Sequence, residues 1–155
     1  MSARKALALG AISGLRTMSG PALISRAASR GDLDLGGTPF AFLNSPRLSK
    51  ALVVMELGEF VGDKLPMTPS RTSLPPLLGR AVSGGLAGGA AFVSEDRRAA
   101  TGAILGSSAA IAASFAGEGF RGLAGQKIGL PDPVVALAED AVVQLVGSRL
   151  SRDAR

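Results

Sequence analysis

The chain has 155 residues, enough for one domain, with 46% hydrophobic residues, only 4% aromatic, no Trp, no Tyr and a formal charge of +5. It has no Cys and no His, which excludes disulfides, thiol nucleophiles and the usual neutral-pH proton carrier and transition-metal ligand. Base stacking on aromatic side chains has almost nothing to use, so the basic balance points to anionic lipid headgroups rather than to nucleic acid.

The apolar mass is Ala, Leu, Val and 21 Gly, and the mean hydropathy is +0.32. Glycine inside a helix is costly in water but useful where helices approach closely in lipid. The composition therefore predicts an all-α, multi-pass transmembrane helical bundle forming a single domain over residues 1–155. No cofactor is expected.

Arg4 and Lys5 precede an apolar run, Ala6–Leu15, in the manner of a signal peptide, but no clear small-x-small cleavage site follows at the right distance. The reading is a retained first helix over roughly 5–28, interrupted by Arg16 and kinked at Pro21. Residues 31–46 are rich in Gly, Pro, Asp and Asn and read as a loop or re-entrant connection, with Phe40, Phe42 and Leu43 placed at the membrane interface. A second helix is expected over roughly 47–64. Pro66, Pro69, Pro75 and Pro76 then mark a loop.

The third helix is expected over roughly 76–94, and the charged run SEDRR at 94–98 is a solvated turn. The fourth, roughly 99–121, contains the uncharged stretch Ala99–Gly117, about the length that spans a bilayer core. After a loop at 122–132, Asp132 and Pro133 are suited to open a fifth helix over roughly 133–149. Lys and Arg fall almost evenly on the two sides, so the positive-inside rule leaves orientation open.

Small residues recur every four positions. Gly84 and Gly88, Gly85 and Gly89, Gly10 and Gly14, Gly58 and Gly62, and the series Gly102, Gly106, Ala110, Ser114 each line one helical face. Such ladders are packing seams. With such ladders on four helices of a small bundle, packing surface is left over for a homo-oligomer, most simply a dimer, or for a larger membrane complex.

Charges interrupt these helices. Glu56, Glu59 and Asp63 share one face at i, i+3 and i+7, and Lys64 follows. Glu118 and Arg121 are three apart, Glu139 and Asp140 lie within PVVALAEDAVVQLV, and Arg16 lies within the first helix. A charge at bilayer depth costs roughly 2.5–3.5 kcal/mol and usually faces a bundle interior or an aqueous cavity. Glu56, Glu59, Asp63, Glu139 and Asp140 are the candidate ion- or solute-binding residues, with Arg16, Lys64, Glu118 and Arg121 as charge partners. A carboxylate surplus without His or Cys suits a proton or a hard cation, and no transition-metal site is expected. The alternatives are structural ion pairs, such as Arg16 with Glu56 or Glu59 and Arg121 with Glu139, or charges at headgroup level.

Gly14-Leu15-Arg16 is echoed by Gly119-Phe120-Arg121, and the acidic second helix by the acidic fifth. An offset of three helices would make this an inverted repeat of the kind found in transporters.

The stretches GLRTMSGPA (14–22), ELGEFVGDKLPMTPSR (56–71) and GLPDPVVALAEDA (129–141) resemble the domain-of-unknown-function 4126 family over roughly residues 7–147. The resemblance implies a multi-pass bacterial inner-membrane protein and supplies no catalytic residues. The expected function is a small transporter or channel for a cation or a proton-coupled solute. The alternative is a non-catalytic membrane scaffold or assembly subunit. An enzyme is not expected, since there is no Ser/His pair, zinc motif or Cys nucleophile.

Overall fold

A computed structural model describes residues 2–62 and 72–123. Among them are five α-helices and no strand: α1 (Ser2–Leu15), α2 (Ser19–Ser29), α3 (Pro46–Gly62), α4 (Leu74–Val93) and α5 (Ala99–Leu123), with a short 3-10 turn at Ala41–Asn44 before α3. The second, third and fourth expected helices are α3, α4 and α5. The expected fifth helix lies outside the described residues.

The expected first helix is two helices. The chain leaves the helix after Leu15 and resumes it at Ser19, so the interruption precedes Pro21 instead of centring on it. Proline lacks an N–H and clashes with the carbonyl four residues back, but it fits the first turn of a new helix. Pro21 is the third residue of α2, and both penalties vanish there. The same rule corrects the start of α4. Pro75 and Pro76, expected in the loop, lie inside its first turn. At the far end of α2, Gly31 takes φ +81, and the N–H groups of Gly31 and Asp32 return to the carbonyls of Ala28 and Ala27 at 3.1 and 2.9 Å. This left-handed C-terminal closure is one that glycine enters without strain.

α1, α4 and α5 pack on one another through glycine. A Cβ at Gly84 would lie 2.6 Å from the Gly106 carbonyl oxygen, and one at Gly10 would collide with the same atom from the other side. Gly88 meets Gly102, and Gly14 meets Ala110. Gly102, Gly106, Ala110 and Ser114 are all buried, as the four-residue ladder requires. The Ser107 hydroxyl donates to the Ala81 carbonyl at 2.8 Å and adds a polar tie between α4 and α5.

The second-helix ladder is a correction. Among the described residues a Cβ at Gly58 meets nothing within 4 Å, so none of them forms a seam there. The seams at Gly10, Gly14, Gly84, Gly88, Gly102 and Gly106 are filled by other helices of the same chain.

α2, α3 and the loop between them close the core at one end. Ile24, Ala28, Leu35, Leu43, Ala87 and Ala90 form its buried cluster, with Phe40, Leu48 and Leu52 packed against it. Leu43 is 1% exposed and therefore not at the interface as expected, because the Ser25 hydroxyl donates to its carbonyl at 2.9 Å and draws the loop inward. Phe42 remains exposed.

The outer surface is unusually apolar. Val54 and Leu57 on α3, Leu74, Leu78 and Val82 on α4, and Ile104, Ile111, Phe115 and Phe120 on α5 are all exposed. Leu74, Leu78 and Val82 recur every four residues along one face of α4, and Ile104, Ile111 and Phe115, seven and four residues apart, share one face of α5, with Phe120 on another. Among the described residues one helix, over Ala99–Phe120, is long and apolar enough to cross a membrane, and only 22% of its most apolar stretch is buried. A soluble core helix would instead be mostly enclosed.

Candidate functional site: a capped helix break

The break between α1 and α2 gathers most of the described polar side chains that lie deep in the fold. Had the helix run on, the N–H of Met18 would bond the carbonyl of Gly14, and that of Thr17 the carbonyl of Ser13. The chain instead hands these groups to other helices. Glu59 of α3 accepts the Thr17 N–H on Oε1 at 2.8 Å and the Met18 N–H on Oε2 at 3.0 Å. One carboxylate thus caps two orphan donors at the start of α2, where the helix dipole also favours negative charge. Glu56, one turn earlier on α3, accepts from the Ser19 hydroxyl at 2.6 Å.

The other half of the break is served from the opposite side. Arg80 of α4 donates from Nη1 to the Gly14 carbonyl at 3.1 Å, and the Ser114 hydroxyl of α5 lies 3.1 Å from the same oxygen while sharing its one hydrogen with the Ala110 carbonyl at 2.8 Å. The α1 C-terminus carries partial negative charge, so a guanidinium there is favourable. Arg80, Ser114, Ser19 and Arg16 are all buried, Arg16 at 4% exposure. Three other helices, α3, α4 and α5, therefore converge on the break between α1 and α2, with a carboxylate on its N–H side and a guanidinium on its C=O side.

The sequence reading placed Glu56 and Glu59 on one face, and the structure places both beside the break. It also singled out Arg16, which lies within the break. It missed Arg80. The available signal was that Arg80 is the sole charge in LPPLLGRAVSGGLAGGAAFV, and a lone charge in an otherwise apolar helix marks a buried partner. Glu118 lies elsewhere: its Oε2 accepts the Thr72 N–H at 3.1 Å, just before α4 begins. Glu59 and Glu118 thus both accept backbone N–H groups at or just before helix starts. Asp63, Lys64, Glu139 and Asp140, and the side chain of Arg121, lie outside the described residues. No group of three or more acidic side chains suited to a metal ion occurs among the described residues.

The candidate repeat divides here. Gly14 is tightly packed at the end of α1, whereas a Cβ at Gly119 meets none of the described residues within 4 Å and α5 continues through Arg121 to Leu123. The two tripeptides occupy different environments.

Two of the three stretches that carry the family resemblance form one structural unit. GLRTMSGPA contains the break and ELGEF contains the carboxylates that attend it. The third stretch, 129–141, lies outside the described residues. No curated protein and no solved structure matches the chain. The profile of the family described as Domain of unknown function (DUF4126) matches residues 5–150, nearly the whole sequence, and the chain belongs to that family.

Proposed function

We propose that the protein is a multi-pass integral membrane protein of the bacterial inner membrane, and that its capped helix break is the working element of a small transporter or channel for a proton, another cation or a proton-coupled solute. The observation that carries this reading is the replacement of the Met18 to Gly14 helical bond by Glu59 on one side and Arg80 with Ser114 on the other. Irregular backbone at membrane depth is tolerated only where protein or a water-filled cavity satisfies it, and broken helices of this kind build the substrate and ion sites of many transporters. A carboxylate that holds two N–H groups can exchange them for a proton or a cation, which loosens the start of α2. That coupling between ion occupancy and helix geometry is what a gating element needs.

Membrane residence draws its support from the exposed stripes on α4 and α5. In water a contiguous apolar surface of this extent favours aggregation, whereas in lipid it is the expected exterior. By length, α5 at 25 residues extends about 37 Å and α4 at 20 residues about 30 Å, each enough for a hydrocarbon core.

The test is flux in proteoliposomes carrying a pH-sensitive dye. Wild-type protein is expected to pass protons or a monovalent cation faster than empty vesicles, and Glu59→Gln is expected to change that rate while the helical signal is retained. Absence of flux from both would favour the second reading, a membrane scaffold. One observation supports that alternative: both oxygens of Glu59 are already engaged by backbone donors, which is what a purely structural cap requires. On either reading association into a homo-oligomer or a larger membrane complex remains part of the proposal, and cross-linking in native membranes tests it.

A further inference from the structure

An open groove of about 510 Å³ lies between α2 and α3, away from the helix break. Arg26 and Arg30, four residues apart at the end of α2, form one wall, and Lys50 of α3 faces them. No carboxylate lines the groove, and none of the three cations makes an ion pair among the described residues. Toward the middle of α3 the lining changes character. Val53 and Val54 follow Lys50 at the next turn, Val54 is 66% exposed, and Leu57 beyond it is 62% exposed. A charged pocket that opens onto an exposed aliphatic strip has the polarity of a phospholipid.

We infer that this groove binds an anionic phospholipid, its phosphate held by Arg26, Arg30 and Lys50 and an acyl chain lying along Val53, Val54 and Leu57. The proposal rests on the membrane reading above. Three cations held without counter-ions on two packed helices repel one another, and a phosphodiester relieves that repulsion through charge-assisted bonds to guanidinium. Basic pockets between helices near the membrane surface are well suited to anionic headgroups. The apolar strip favours a lipid over a free anion, because inorganic phosphate gains nothing from Val54 or Leu57.

Native mass spectrometry of the purified full-length protein in micelles holding equal amounts of phosphatidylglycerol and phosphatidylcholine provides the test. Wild-type protein should retain phosphatidylglycerol preferentially, and each basic side chain removed should lower that preference about fivefold. The variant Arg26→Gln/Arg30→Gln/Lys50→Gln should therefore show little preference. Raising salt on the wild-type protein should erode the preference without any substitution. Equal retention of the two lipids by wild type, or an undiminished preference in the triple variant, would overturn the proposal. So would displacement of the lipid by an equal concentration of inorganic phosphate, since the site would then be one for a free anion. Carbonate extraction separates this failure from that of the membrane reading: a protein that stays in the membrane pellet yet shows no lipid preference refutes the groove alone.

Discussion

The α1–α4–α5 side and the α2–α3 side of the molecule are held together by different means. On the first, three helices meet where Gly10, Gly84 and Gly106 leave no room for a side chain, and the contact is backbone against backbone. On the second, Glu56 and Glu59 reach from α3 to the break in the neighbouring helix, and the contact is carboxylate against hydroxyl and N–H. The first interface depends on what is absent and the second on what is charged. The glycine contacts of the first seam hold no charged group that a proton or an ion could release. A seam of the second kind can be released by a proton or an ion, which is why the working element is assigned there.

The contrast is broken most severely at Gly106. Gly106→Leu puts a side chain against the Gly84 carbonyl and forces three helices apart, with an expected loss above about 3 kcal/mol, read as a large drop in the unfolding midpoint in detergent. Next comes Glu59→Ala, which leaves the Thr17 and Met18 N–H groups without their acceptor and should cost about 2 kcal/mol. Hydrogen exchange should localise that loss to the start of α2, while amides of α4 and α5 stay protected.

Arg80→Met should cost about 1.5 kcal/mol, since it removes a charged donor and leaves the Gly14 carbonyl only a Ser114 hydroxyl that the Ala110 carbonyl also takes. A double variant with Ser114→Ala should lose more than the two single changes added, because the oxygen is then stripped of both donors. Lys5 and Glu95 pair at 3.3 Å near the surface, and Lys5→Ala should move the midpoint by less than about 1 kcal/mol. Gly58→Ala should act in the other direction. Its Cβ meets none of the described residues within 4 Å, so the substitution gains helix propensity of about 1 kcal/mol at most and sharpens the comparison with Gly106.

Much of this architecture is legible in the sequence, and the reasons differ by element. The ladder Gly102, Gly106, Ala110, Ser114 states its own face, because four-residue spacing on a helix leaves no other geometry. The same spacing at Gly58 and Gly62 carried no seam with the described residues at Gly58, since periodicity says which residues share a face but not whether another helix lies against it. Pro21 marks an interruption yet not its place: a proline is compatible with the first turn of a new helix, and the break moved to residues 16–18. The acids on α3 were legible as one face. Their backbone partners were not, because a hydrogen bond between residues 18 and 59 leaves no local trace in either segment. Arg80 was visible only as an isolated charge, and its role follows from where α1 ends.

The account rests on the exposed aliphatic and aromatic stripes of α4 and α5 facing lipid. Alkaline carbonate extraction of membranes from cells producing the full chain measures this most directly. Integral residence predicts that the protein stays in the membrane pellet at high pH, where peripheral proteins are stripped away. Quantitative release into the supernatant as a monodisperse protein would contradict it, and the capped helix break would then belong to a protein that does not reside in the bilayer.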